Sequence, residues 1–307
     1  MFCTALQGWN GCANNYGKVF KVMPIHFVAE VSSNHHRDLN RCLQFIDQAA
    51  ACGCSAVKFQ LFKIDQLFVA DVVAGNEDIR KRKGWELPVE FLPQMAARCR
   101  EKGLEFSCTP FYLKAVEELY PYVNFYKIAS YELLWPDLLK ECARTKKPLV
   151  LSTGMATMQE IDNAVNTFTK AGGRKLTLLH CVSDYPAPPE KCNLAAIETM
   201  RKAFQLPVGW SDHSVQPAVI YRAAHRFQAS MIEFHFDLEG EGEEFASGHC
   251  WLPDQIKTVI AEVNTGLEAD GTGEKVPMDN ESRERNWRAD PADGLRPLSS
   301  IRQRWWL

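Results

Sequence analysis

The chain has 307 residues, of which 46% are hydrophobic and 24% charged, and its formal net charge is −3. This is an ordinary globular composition, and the weak negative charge argues against a nucleic-acid partner. The 11 cysteines are odd in number and scattered, which is typical of reduced thiols. No segment resembles a signal peptide or a membrane span of ~20 apolar residues. A cytoplasmic protein without a membrane partner is therefore expected.

Short apolar runs alternate along the chain with segments of helical spacing, after residues 1–24, which are expected to form an N-terminal arm. Strands are predicted at 25–32, 56–62, 104–109, 126–132, 148–153, 176–182, 207–212 and 231–237. A helix is predicted after each strand, and the last one is expected to end at Gly266. The charged segment 63–88 interrupts this rhythm and is interpreted as either a solvated insertion or a mobile flap.

Eight strands separated by helices indicate an α/β protein with right-handed crossovers and a parallel sheet. Eight such units close a (β/α)8 TIM barrel, which we predict for residues 25–266. An open doubly wound sheet would have a glycine-rich phosphate loop after its first strand, and residues 31–38 contain no glycine. Residues 267–307 carry arginines and tryptophans without an apolar period, so they are expected to form a C-terminal tail.

Polar side chains occur at the end of every predicted strand, where a barrel carries its active site. Two of them are lysines, Lys58 and Lys127, and a buried lysine is costly unless an anion pairs with it. Lysines with several hydroxyl groups suit a phosphorylated or carboxylated ligand. His213 and His235 end neighbouring strands and are plausible ligands of one divalent metal. Four carboxylates could bind sugar hydroxyls, bind metal or transfer protons: Glu30, Glu132, Glu233 and Asp237.

The order of several motifs makes the chain resemble the sialic acid synthase family, the phosphoenolpyruvate-dependent synthases of nonulosonic acids. The matching stretches are FVAEVSSNH at 27–35, AVKFQLF at 56–62, FSCTPF at 106–111, YKIASYE at 126–132, LSTGMAT at 151–157, LLHCVSDYPAPPE at 178–190, VGWSDHS at 208–214 and IEFHFDLEGEG at 232–242. They span nearly all of residues 25–265.

The resemblance implies a condensation of phosphoenolpyruvate with the aldehyde of an amino-hexose such as N-acetylmannosamine, with release of phosphate. It implies a divalent metal, Mn²⁺ or Mg²⁺, held by His213 and His235, and a homodimer. The implied catalytic residues are Glu30, Lys58 and Lys127. Phosphoenolpyruvate would be bound by Lys58, Gln60, Ser107, Thr109, Lys127, Ser130, Ser152, Asp184 and Ser211. The sugar would be bound by Glu132, Tyr185, Glu244 and His249.

The sequence departs from the family pattern in several places. Residues 35–38 read His-His-Arg-Asp where a small residue and a glycine are usual, and Asp184 stands where asparagine is common. The eighth loop reads GEEFASGHCWLP, and typical members continue into a C-terminal antifreeze-like domain that is not expected here. These departures affect the sugar side of the predicted site.

Two other functions remain open on the same barrel. Lys58 or Lys127 could form a Schiff base in a pyruvate aldolase or lyase. The chain could also be a non-catalytic barrel that binds an acidic sugar. In the synthase interpretation both lysines act electrostatically.

Overall fold

The computed structural model describes residues 25–304, so the predicted N-terminal arm at 1–24 and residues 305–307 lie outside the described residues. Eight parallel strands follow one another in chain order, and the first pairs with the eighth to close a barrel. The prediction of a (β/α)8 TIM barrel is therefore confirmed. The strands are β1 His26–Glu30, β2 Ala56–Leu61, β3 Glu105–Pro110, β4 Phe125–Ile128, β5 Leu149–Ser152, β6 Leu176–Cys181, β7 Val208–Asp212 and β8 Met231–Phe236, with a short β9 at Cys250–Trp251 alongside β8.

Helices connect the strands and cover the outside of the barrel. They are α1 Leu39–Ala51, α2 Ile64–Leu67, α3 Ala70–Gly75, α4 Glu77–Lys81, α5 Leu92–Lys102, α6 Leu113–Leu119, α7 Pro136–Arg144, α8 Met158–Lys170, α9 Ala196–Phe204, α10 Pro217–Tyr221, α11 Glu243–Ala246, α12 Pro253–Asp270, α13 Ser282–Asn286 and α14 Ser299–Arg302. Short 3₁₀ turns lie at Arg82–Trp85, Val89–Phe91, Ser130–Glu132, Pro189–Lys191 and Asp279–Glu281, and α10 continues into a π-helical turn at Arg222–Arg226.

Two apolar layers separate the inside of the barrel from the outside. Successive strand residues face opposite sides, so every second residue packs outward against the helices. The inward positions at the amino ends of the strands form a separate apolar cluster of Val28, Ala56, Phe125, Val150, Leu179 and Met231. This cluster closes the lower barrel, so the inward residues above it form the floor of any site.

Two element boundaries, those of β4 and α12, differ from the predictions, and residues 63–88 contain helices on which the sequence made no prediction. Strand β4 ends at Ile128, and Ser130–Glu132 forms a 3₁₀ turn instead of continuing the strand. Residues 63–88 carry three short helices, α2, α3 and α4. Helix α12 does not end at Gly266 but continues to Asp270. The glycine instead allows the helix to pack closely against His225, since a Cβ at this position would lie 2.5 Å from that ring.

The described chain divides into two compact units, one through Ala269 and one from Asp270 onward. In the second unit, Arg302 donates to Asp293 over 2.8 Å, and the Ser299 amide donates to the buried Asp290 over 2.7 Å. Across residues 25–304, none of the helices combines the length and apolar character that a membrane crossing requires.

One buried carboxylate, Asp212, fastens the ends of β7 and β9 together. It accepts hydrogen bonds from the indole N–H groups of Trp210 at 3.1 Å and Trp251 at 3.0 Å. It also accepts from the Ser214 hydroxyl at 2.6 Å and the Val215 amide at 3.2 Å. Asp212 therefore holds in place the loops that follow both strands.

Replacing Asp212 with alanine should lower the free energy of unfolding by about 3–5 kcal/mol, because several buried donors would lose their only charged acceptor. Denaturant unfolding measures this change. Asp184→Ala, at an exposed position, is the control and should stay within about 0.5 kcal/mol of the parent. Equal effects of the two substitutions would contradict the anchoring role.

Candidate active site

The inward positions above the apolar cluster are polar on most strands. On β1 the inward residue after Val28 is Glu30, and on β2 the inward residues after Ala56 are Lys58 and Gln60. Together with the following loops they surround a cavity of about 220 Å³. The lining residues are Glu30, Lys58, Gln60, Thr109, Phe111, Lys127, Ala129, Ser130, Tyr131, Ser152, Cys181, Tyr185, Ser211, His213, Glu233 and His235.

Two lysines and two glutamates form a buried ionic network across the floor of this cavity. Lys58 Nζ forms an ion pair with Glu30 and lies 3.8 Å from Glu233, while Lys127 Nζ lies 3.1 Å from Glu233 Oε1. Gln60 donates to Glu30 at 2.6 Å, and Ser211 donates to Glu233 at 3.1 Å. Each carboxylate thus has a cation and a neutral donor, as buried charges require.

The network favours the ionised forms of Lys58 and Glu233 despite their burial. Burial alone would lower the pKa of Lys58, but the carboxylates of Glu233 and Glu30 raise it above its ordinary value. Burial would raise the pKa of Glu233, but Lys127 and Lys58 hold it well below its usual range. With two ammonium and two carboxylate groups, the formal charge of the network is zero at neutral pH.

Hydroxyl groups surround the lysines. Lys58 Nζ donates to Thr109 Oγ1 at 3.4 Å, and the Gly154 amide donates to Ser130 Oγ at 2.9 Å. Ser130 Oγ also lies 3.2 Å from Cys181 Sγ. These groups, with Ser152, give the cavity neutral hydrogen-bonding partners that reorient at little cost.

Glu132 comes after Lys127 in the chain and lies on the 3₁₀ turn that follows β4. Its Oε2 is buried without a hydrogen-bond partner among the described residues. Burial raises the pKa of Glu132 to about 7, against the opposing effect of Lys127. A carboxyl group with a pKa near neutrality can both hold and release a proton at physiological pH.

Two imidazoles, His213 and His235, form one side of the cavity, and their ring centroids are 5.5 Å apart. His213 Nδ1 donates to the Val182 carbonyl at 2.7 Å, and His235 Nδ1 donates to Glu244 Oε2 at 2.7 Å. Burial lowers the pKa of His213 to about 3. Burial would also lower the pKa of His235, but Glu244 raises it. With Nδ1 occupied, Nε2 is the nitrogen that each ring can offer to a ligand.

Most of the predicted site residues meet at this cavity, but five do not line it, one of which is Glu132 on its 3₁₀ turn. Ser107 faces inward at a deeper level, where its hydroxyl donates to the Phe125 carbonyl at 3.0 Å. Asp184 is exposed on the loop after β6. Glu244 and His249 lie against His235. Tyr185 does line the cavity, with its ring 4.2 Å from the His213 ring.

The sequence offered Glu233 only as one of four carboxylates with several possible roles, and it did not predict that Glu233 pairs with the lysines. It joins both lysines, and its position could have been found from the sequence, since it lies two residues before His235 on the same face of β8. Cys181 and Phe111 also line the cavity without having been singled out.

The fold and the site define a (β/α)8-barrel enzyme with paired lysines and carboxylates at the carboxyl ends of its strands. The chain belongs to the NeuB family, whose model matches residues 45–275. The predictions of the sialic acid synthase family and of an enzyme are therefore confirmed.

Individual relatives agree with this family. The spore coat polysaccharide biosynthesis protein SpsE of Bacillus subtilis is 34% identical, over 79% of this chain and 67% of that protein. An N,N'-diacetyllegionaminic acid synthase of Campylobacter jejuni is 31% identical, over 84% of this chain and 81% of its own. The crystal structure of an N-acetylneuraminic acid synthetase from Leptospira borgpetersenii, in complex with citrate, matches with a TM-score of 0.76 at 30% identity, covering 85% and 90% of the two chains.

Replacing Glu132 with glutamine should change how stability depends on pH. The pKa of Glu132 rises from 4.5 in the unfolded chain to about 7 in the folded one. Between these pH values the folded chain binds more protons than the unfolded chain, so the parent loses stability as pH rises. The variant has no such loss, so its advantage should grow by about 3 kcal/mol from pH ~4.5 to ~8.

Denaturant unfolding across this pH range measures the difference. The exposed Glu90→Gln serves as the control and should give a small difference at every pH. A difference between Glu132→Gln and the parent that does not change with pH would contradict a buried carboxyl with a raised pKa.

Proposed function

We propose that this barrel catalyses the metal-dependent condensation of phosphoenolpyruvate with an amino-hexose of the N-acetylmannosamine class. The products are a 2-keto-3-deoxy nonulosonic acid and inorganic phosphate. The observation that carries the proposal is the buried network of Lys58, Lys127, Glu30 and Glu233 on the cavity floor. Family membership and the named synthases among the relatives support it.

The lysines are suited to the two anionic groups of phosphoenolpyruvate. Both ammonium groups lie in the same cavity, surrounded by hydroxyl donors, so carboxylate and phosphate can each meet a fixed positive charge. Thr109, Ser130, Ser152, Ser211 and Gln60 would complete the hydrogen bonding. Ser107 would lie below the phosphoenolpyruvate site, and Asp184 would lie outside it.

A divalent metal fits the charge of the cavity. The four ionised groups sum to zero, so a ligand with about three negative charges would enter a site with no net attraction for it. His213 and His235 would hold the ion through Nε2, because their Nδ1 groups donate to Val182 and Glu244. When bound, Mn²⁺ or Mg²⁺ supplies a Lewis acid that polarises the sugar aldehyde.

The reaction forms a carbon–carbon bond and a C2–oxygen bond from water, and it breaks the C2–oxygen bond to phosphate. The methylene carbon of phosphoenolpyruvate attacks the aldehyde carbon, water adds to the cationic C2, and phosphate departs from C2. Lys58 and Lys127 stabilise the charge on the phosphate and carboxylate throughout. Glu30, inside the cavity, would accept a proton from the water, and Glu132 would exchange a proton with the sugar oxygen. Tyr185, which lines the cavity, would lie beside the sugar.

Two further parts of the proposed function, the oligomeric state and the location, do not depend on the geometry of the cavity. A homodimer is supported by the family resemblance alone, and a cytoplasmic location is supported by the scattered cysteines.

The Schiff-base alternative needs a neutral amine as nucleophile. Glu233 and Glu30 raise the pKa of Lys58 and so favour its ammonium form, which disfavours that mechanism at Lys58, and Lys127 is engaged in an ion pair with Glu233. Borohydride with pyruvate should accordingly leave the mass of the protein unchanged.

Phosphate release should require phosphoenolpyruvate, an amino-hexose and a divalent metal together, and a malachite-green assay with single omissions measures this. Release without sugar, or from no amino-hexose tested, would contradict the proposal. Mass spectrometry of the product should show the sugar extended by three carbons.

Lys127→Ala should reduce phosphate release by at least ~1000-fold, since an electrostatic group in a closed site contributes several kcal/mol to the transition state. Calorimetry should show that the variant loses phosphoenolpyruvate binding and keeps Mn²⁺ binding. Lys114→Ala, at a surface ion pair with Glu117, is the matched control and should behave as the parent. Loss of Mn²⁺ binding in Lys127→Ala would instead indicate a structural lysine.

A further inference from the structure

The loop after β8 folds back on the strand and brings three of its residues against His235. Short β9 pairs with β8 in a register that sets Cys250 beside His235. Helix α11 precedes β9, and Gly248, at φ +87°, makes the turn between them. This left-handed backbone favours glycine. Glu244 on α11 and His249 before β9 thereby reach the same side of β8.

The loop is tied down at its beginning as well. The buried Asp237 accepts from the amides of Gly240 at 3.0 Å and Gly242 at 3.2 Å, and Arg41 lies 3.4 Å from its other oxygen. Asn34 donates to the Phe236 carbonyl at 3.1 Å. The part of the loop that precedes Glu244 is therefore held in place by contacts outside the cluster.

Four potential metal ligands converge in this loop. Glu244 Oε2 lies 2.7 Å from His235 Nδ1, 3.6 Å from His249 Nε2 and 3.8 Å from Cys250 Sγ. One ligand atom from each of the four residues lies within 4.8 Å of every other. Within residues 25–304 no other group of three or more His, Cys, Asp or Glu side chains is arranged in this way.

Two members of the cluster are buried. His249 is 7% exposed, and its Nε2 is the ring nitrogen that faces Glu244. Cys250 is 2% exposed, so its thiol is protected from oxidation by agents in the solvent.

We propose that His235, Glu244, His249 and Cys250 form a binding site for a zinc-class divalent ion. Two imidazoles, a thiolate and a carboxylate are a donor set typical of zinc, and the soft thiolate is the ligand that distinguishes this set from sites for Mg²⁺ or Mn²⁺. Zinc bond lengths correspond to ligand spacings of about 3.3–3.8 Å in a tetrahedron. The longest spacing of 4.8 Å would therefore have to shorten by about 1 Å.

This site shares His235 with the histidine pair proposed for the synthase metal but differs from that pair in including sulfur. The zinc-class ion would use Nδ1 of His235, replacing the proton now shared with Glu244, and the ring would act as a bridging imidazolate when Nε2 holds the other ion. The proton of Nδ1 and the thiol proton of Cys250 pass to solvent on binding. The site gives Glu244 and His249 a role as metal ligands in place of the sugar contacts that the sequence predicted.

Cobalt spectroscopy of the full chain, stripped of metal by a chelator, tests this proposal because only a sulfur ligand gives a near-ultraviolet thiolate-to-cobalt charge-transfer band. The parent should show the band on addition of Co²⁺, and Zn²⁺ should abolish it. Cys250→Ser should remove the band. Cys181→Ser, which changes the cavity thiol, and His213→Ala, which changes the histidine pair, should keep it.

His249→Ala provides a second reading should Cys250→Ser fold poorly, and should weaken Co²⁺ binding at least ~10-fold. Absence of the band in the parent, or its loss in Cys181→Ser or His213→Ala with retention in Cys250→Ser, would overturn the proposal. Because this readout needs neither phosphoenolpyruvate nor sugar, its outcome is independent of whether phosphate release is observed.

Discussion

The buried pairing of Lys58 and Lys127 with Glu30 and Glu233 is the interaction on which the site depends. Each ammonium group is removed from water by the closed barrel and would be costly to bury without its carboxylate. The alternation of side chains along parallel strands places all four groups above one apolar cluster, so no loop is needed to assemble them. The floor of the cavity is therefore rigid and carries charged groups whose formal charges sum to zero. The loops above it have only to add specificity for the substrate.

The loops are positioned by buried carboxylates rather than by the cavity. Asp212 holds the ends of β7 and β9 through two indole N–H groups, and Asp237 holds the start of the loop after β8. Both acids precede residues with chemical roles, His213 and Glu244. These two acids therefore position the residues that follow them in the chain. An acidic residue at the end of a barrel strand can thus have a structural role and need not be catalytic.

The sequence was sufficient for the eight strands and for the inward direction of most site residues, because alternation and helical spacing are local patterns. It did not determine depth along the barrel: Ser107 faces inward like Thr109 but lies one inward position lower and bonds to Phe125. Nor did it predict that β4 ends at Ile128, which moves Glu132 onto a turn. The contacts of Glu244, His249 and Cys250 depend on how a long loop folds back, and no local pattern encodes that.

The central claim is that a network of zero formal charge accepts phosphoenolpyruvate only together with a divalent cation. Isothermal titration of the parent chain with phosphoenolpyruvate, in chelator and in Mn²⁺, measures this directly. The affinity should be at least ~10-fold higher with Mn²⁺, a difference of ~1.4 kcal/mol or more in binding free energy. Equal affinity in the two conditions would contradict the charge balance on which the proposed mechanism rests.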